Sequence, residues 1–152
     1  MRRSIRWSTA ALGIAVMAIQ CIRPAKTNPQ SDPGDALRRV RPIPAHVAEV
    51  FDRACRDCHS NDTRWPWYSH IAPVSWFVID HVNHGRSHFN YSTWGRYTSE
   101  DAARLLKNSC ELAREGAMPL ASYTWMHPGA RLSRADVDAL CAWQDPQPEA
   151  ES

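Results

Sequence analysis

The chain lacks what several large protein classes require. It has no run of like charge and no low-complexity tract, and its net charge is only +2 over 152 residues with the histidines neutral. That balance excludes the dense basic face of a nucleic-acid binder. No stretch alternates apolar and polar residues for the length of a strand, so no sheet is expected. Cys55 and Cys58 form a Cys-x-x-Cys pair, but no second such pair and no histidine pair at zinc-finger distance follows, and no βαβ pattern surrounds it. A zinc finger and a thioredoxin-like dithiol are therefore disfavoured. No nucleophile–base pair or paired carboxylates stand near these cysteines to argue for an enzyme.

What is present begins with a compartment signal. Arg2, Arg3 and Arg6 precede an uncharged segment, Trp7 to Ile22, which Arg23 and Pro24 end. A basic start followed by an apolar stretch is an export signal. Without an Ala-x-Ala site at its end, an uncleaved signal-anchor over residues 1–23 is the first reading. Cleavage is the alternative, as is lipidation at Cys21, where glutamine spoils the lipoprotein box. The expected location is periplasmic or otherwise extracytoplasmic, tethered to the inner membrane. Residues 24–43, with five prolines and glycines, read as a linker. Residues 44–145 read as the domain and 146–152 as a disordered tail.

Inside the domain, apolar spacing predicts helices only. One spans 44–56, with Val47, Val50, Phe51 and Ala54 at i, i+3, i+4 and i+7. A second spans 73–84, with Val74, Phe77, Val78 and Val82 on one face and Gly85 as its stop. A third covers 99–115, started by Thr98 with Asp101, striped by Ala102, Leu105, Leu106, Cys110 and Ala113, and ended by Gly116. The last starts at Ser133 with Asp136, with Leu132 and Val137 as a staple. The expected fold class is all-α.

Cys55-Arg56-Asp57-Cys58-His59 is Cys-x-x-Cys-His, the attachment signature of c-type haem. Cysteines three apart at a helix end share a side and can each form a thioether to one haem vinyl group. The adjacent histidine then reaches the iron from one face. A domain of about 100 residues has a limited core, and a porphyrin would supply apolar surface for the tryptophans, six of which follow residue 60. Each tryptophan otherwise reads as ordinary core or rim. The fold expected is thus a small cytochrome c-like domain wrapped around one covalent haem c.

Two methionines inside the domain compete for the sixth iron position. Met118, held extended by Pro119, is preferred; Met126, a histidine or an open position are the alternatives. His81, His84 and His88 share a helical spacing but lack a carboxylate to complete a metal set. His59 should donate its other ring nitrogen to a carbonyl near Trp65-Pro66. Arg64, Trp65, Trp67, Tyr68 and Arg86 are candidate pocket or propionate contacts. Cys110 and Cys141 lie on the apolar faces of the third and fourth helices. They read as buried free thiols, with a disulfide as the alternative.

Several runs resemble the bacterial haem-binding domain family of small monohaem cytochrome-like proteins. They are Cys55 to Ser60, the Thr63-Arg64-Trp65-Pro66-Trp67-Tyr68-Ser69 run, and Ile71-Ala72-Pro73-Val74-Ser75-Trp76. Gly85-Arg86, Asn90-Tyr91-Ser92-Thr93-Trp94, Met118-Pro119, His127-Pro128, Leu132-Ser133 and Gln20-Cys21-Ile22-Arg23-Pro24 agree with it. Cys21 stands where the family would carry an aromatic residue. The resemblance covers about residues 20–143. It implies covalent haem on an exported, often membrane-tethered domain, and it favours Met118 as the distal ligand. The expected role is electron transfer with redox partner proteins, the membrane being contacted through the N-terminal segment. A peroxidase-like haem enzyme or a gas or redox sensor, with His127 or His70 beside an open position, is the alternative.

Overall fold

A computed structural model describes residues 2–144. The tail read at 146–152 lies outside the described residues. The chain is all-α, and no strand occurs among the described residues. Helix α1 is Arg2–Ile19, α2 Leu37–Val40, α3 Ala45–Val50 and α4 Arg56–His59. Then follow α5 Val74–His88, α6 Ser99–Arg114, α7 Ala121–Met126 and α8 Arg134–Gln144. Short 3-10 turns fill several of the connections. None of these helices is long and apolar enough to cross a membrane.

The core forms where α3, α6 and α8 meet. Val47, Phe51, Leu105, Leu106, Ala113, Leu140 and Trp143 are buried together there with Leu37 and Trp94. Phe51 meets Tyr91 and Trp143 edge-on, with ring centroids 4.7 and 5.6 Å apart. The predicted stripes of the first and third helices are the buried ones. Caps set the starts of α6 and α8. Thr98 Oγ1 accepts from the Asp101 amide at 3.1 Å, and Ser133 and Asp136 cap each other reciprocally. Gly116, at φ 68°, ends α6 in the left-handed conformation that glycine adopts freely.

Three sequence expectations need correction. Cys110 and Cys141 are not free thiols: they form a disulfide between α6 and α8, with Cα atoms 5.1 Å apart. The two helices pack against each other, which the sequence could not reveal. The second helix does not stop at Gly85 but runs on to His88. Gly85 serves close approach instead, since a Cβ there would collide with the Cys58 carbonyl oxygen. Finally, that helix buries Ser75, Ile79, Val82 and Gly85, while Val74 and Phe77 are exposed. Its apolar residues serve two faces, one packed on α4 and the turn at 67–70 and one open to a cleft.

Residues 20–43 lie along the body rather than hanging free. Leu37 is buried in the core. The Gln20 side-chain amide pairs with the main chain of Ala72, both bonds 3.0 Å long, and Trp76 Nε1 donates to the Ile22 carbonyl at 2.7 Å. Arg86 ties the strap down through the Thr27 carbonyl and Asn28 Oδ1, and Asn28 in turn donates to the Thr63 carbonyl.

Candidate functional site

The helix from α3 to α4 is not uniform. Between Val50 and Arg56 it widens to a π turn, Phe51–Cys55, and Cys55 breaks from helical geometry at φ −123°. Such widened turns recur at functional sites. Here the turn sets Cys55 and Cys58 at the end of the helical run, both as free thiols. Burial pushes each thiol up to about 11, so both stay protonated near neutrality; a hydrogen bond with Tyr91 opposes the shift at Cys55 without cancelling it.

His59 is oriented by α5, not by the Trp65-Pro66 loop. Its Nδ1 lies 2.9 Å from the Gly85 carbonyl oxygen and 3.4 Å from that of Phe89. A carbonyl only accepts, so Nδ1 carries the proton and Nε2 keeps its lone pair. The Phe89 ring stacks on the imidazole at 4.1 Å. Burial lowers the His59 pKa despite the two carbonyl bonds, which favours the neutral, metal-ligating form. Local sequence could not name α5 as the acceptor, because only the fold brings Gly85 onto the motif.

Two clefts meet at Cys58, His81, Leu120 and Tyr123. The smaller, about 240 Å³, is bounded by Cys58, His59, Gly85, Met118 and Pro119. The larger, about 430 Å³, is walled by Pro66, Trp67, Tyr68, Val74, Phe77, Trp125, Met126 and His127. Its rim is unusually apolar for free surface. Trp125 is 77% exposed, Trp67 70% and Phe77 51%. Contiguous exposed aromatics of this kind mark a surface that a ligand covers.

Polar groups close one wall of the larger cleft. Asp57, inside the Cys-x-x-Cys, accepts from Tyr123 Oη at 2.9 Å and from the Arg64 amide at 3.2 Å. Tyr123 stacks on His127 at 4.3 Å, and His127 Nδ1 lies 3.5 Å from Tyr68 Oη. Burial raises the Asp57 carboxyl against the Tyr123 hydrogen bond, and it raises the Tyr123 hydroxyl as well.

The residues picked from sequence therefore separate. Cys58, His59 and Met118 come together at the smaller cleft; Arg64, Trp67 and Tyr68 line the larger one. Cys55, Trp65 and Arg86 line neither. Arg86 spends its guanidinium on protein acceptors, including the Ser60 carbonyl and Thr63 Oγ1, both at 2.7 Å. His81, His84 and His88 line the smaller cleft with Asp80, and no group of three such side chains placed to hold a metal ion occurs among the described residues. The tryptophans divide likewise: Trp94 and Trp143 are core, Trp67 and Trp125 cleft. Sequence reasoning missed Asp57, Tyr123 and Leu120, since α7 carries too short a pattern to announce itself.

The Cys58 thiol, the oriented His59 imidazole and the Met118 thioether, beside an apolar cleft of cofactor size, fit a haem, while the second motif thiol, Cys55, packs against the core and meets Tyr91. Comparison with known proteins agrees. The family model described as the haem-binding domain matches residues 14–145. No curated protein and no solved structure matches the chain.

Proposed function

The chain belongs to the haem-binding domain family, and from that premise we propose that it is an exported monohaem c-type cytochrome that transfers electrons. The observation that carries the reading is the meeting of Cys58, His59 and Met118 at one cleft, with Cys55 at the end of the same helical run. In this reading Cys55 and Cys58 hold the haem by thioethers. His59 Nε2 and the Met118 thioether would ligate the iron. Bound haem supplies a one-electron ferric–ferrous couple, and a thioether ligand favours the ferrous state.

The protein's own part is to bind, orient and shelter. Gly85 and Phe89 hold the imidazole in one orientation. Trp67, Phe77 and Trp125 offer apolar surface that keeps water from a ring face. Met126 belongs to the larger cleft, away from His59, which favours Met118 over it. The Cys110–Cys141 disulfide supports an oxidising compartment, and the basic-then-apolar N-terminus supports export and membrane tethering.

A second reading, a haem enzyme or sensor with an open distal position, draws on His127 and Tyr68 in the larger cleft. The ferric spectrum decides. Purified holo-protein is expected to show the weak near-infrared band of thioether–iron ligation, lost in Met118→Ala and kept in Met126→Ala. A high-spin ferric spectrum with rapid cyanide binding would overturn the electron-transfer reading.

A further inference from the structure

Met118 stands in a short bridge between α6 and α7, and the two ends of that bridge are held differently. On the α6 side the backbone does the work. Gly116 turns the chain, and the amides of Ala117 and Met118 both donate to the Leu112 carbonyl, at 2.9 and 3.1 Å. On the other side α7 has six residues, no side-chain cap and no buried residue. A helix with no fully buried residue that is too short to be stable alone must be held by something else. Its polar tie to the haem motif is Tyr123, whose hydroxyl donates to Asp57 Oδ2 at 2.9 Å. The ring of the same tyrosine stacks on His127, which reaches Tyr68. Asp57 lies between the two motif cysteines, two residues from His59. One hydrogen bond thus joins the segment carrying one proposed axial ligand to the segment carrying the other.

We propose that Tyr123 is a positioning residue for the iron, its bond to Asp57 holding the Met118 bridge at a set distance from the Cys55–His59 segment. The proposal rests on the His59/Met118 reading. With the bond made, α7 cannot swing outward and the thioether is kept over the cleft. With the bond absent, α7 keeps its stacking contacts and the hold of Arg53 on the carbonyls of Gly129 and Arg131 beyond its C-terminus, but loses its tie to the motif, and a small ligand competes more easily for the position Met118 holds. Hydrogen bonds to a carboxylate are among the stronger ones in proteins, so the effect should be easily read.

The test uses the full-length holo-protein. Tyr123→Phe keeps the ring and its stacking and removes only the hydroxyl. It is expected to weaken the near-infrared thioether band and to tighten imidazole binding by about tenfold, the equivalent of about 1.4 kcal/mol. Asp57→Ala should do at least as much, since it also removes the bond from the Arg64 amide. The double variant should add little to Asp57→Ala, since the Tyr123–Asp57 bond is already gone. If Tyr123→Phe fails to yield holo-protein, Asp57→Ala carries the same measurement. A lower melting temperature with an unchanged band and an imidazole affinity within about twofold would show a merely structural tyrosine and sink the proposal. A wild-type protein without the band removes the His59/Met118 reading, and this proposal with it. A wild-type band that survives in both single variants removes the positioning role alone.

Discussion

The half of the molecule built by α3, α6 and α8 closes on itself; the half built by α4, α5 and α7 does not. In the first, Phe51, Leu106, Leu140 and Trp143 bury one another, the starts of α6 and α8 are capped, and Cys110–Cys141 ties α6 to α8. In the second, α7 has no fully buried residue, α5 leaves Val74 and Phe77 outside, and Trp67 and Trp125 stand open around a cleft. The first half has what a small domain needs to fold alone, while the second has the apolar surface of a core without its partner. On the proposed reading, the difference teaches where the haem would enter the folding energetics: it would complete the second half, while the first is already packed.

The largest expected effect comes from removing the attachment. Cys55→Ala with Cys58→Ala should release all haem on denaturation, where the wild type retains it on the chain. Amide exchange should then quicken over α5 and α7 and stay slow over α6 and α8. Equal loss of protection in both halves would break the comparison. Next is the disulfide. Its loop of 31 residues gives about 3–4 kcal/mol by chain entropy. Cys110→Ala with Cys141→Ala should lose that much in urea unfolding while the haem spectrum stays in place; a changed axial-ligand spectrum would show the halves to be coupled.

The smallest effect is a pH dependence that belongs to the closed half. Burial alone would raise the Asp136 carboxyl, but hydrogen bonds from Arg53, at 2.7 Å, and Ser133 outweigh it and hold the pKa at about 2. A carboxyl depressed by folding stabilises fully above its unfolded value, near 4, and the gain is lost as pH falls toward 2. About 2 kcal/mol should disappear across that window. Asp136→Asn should flatten the dependence there, with no change in the haem spectrum. A slope that persists in this variant would assign the dependence to other groups.

Much of the closed half could be read from the chain. Val47, Val50, Phe51 and Ala54, and then Leu105, Leu106, Cys110 and Ala113, fall at helical spacing and are buried where the spacing predicts. The capping residues Thr98, Ser133 and Asp136 act within three residues of themselves, so local sequence suffices to find them. The cleft half was legible only at its motif. On α5 the apolar pattern mixes a packed face with a cleft face, and periodicity cannot say which is which. Gly85 looked like a helix stop because glycine signals both termination and close approach.

The sequence by itself determined the helical class, the Cys-x-x-Cys-His motif and the family, because each is written in contiguous residues or short spacings. Tertiary structure alone decided that Cys110 meets Cys141 and that Gly85 orients His59. It alone brought Met118, rather than Met126, to the cleft of His59, and Tyr123 to Asp57. Those pairs stand 26 to 66 residues apart. Covalent proximity says nothing at such separations, and only the packing of one helix on another brings the atoms within reach.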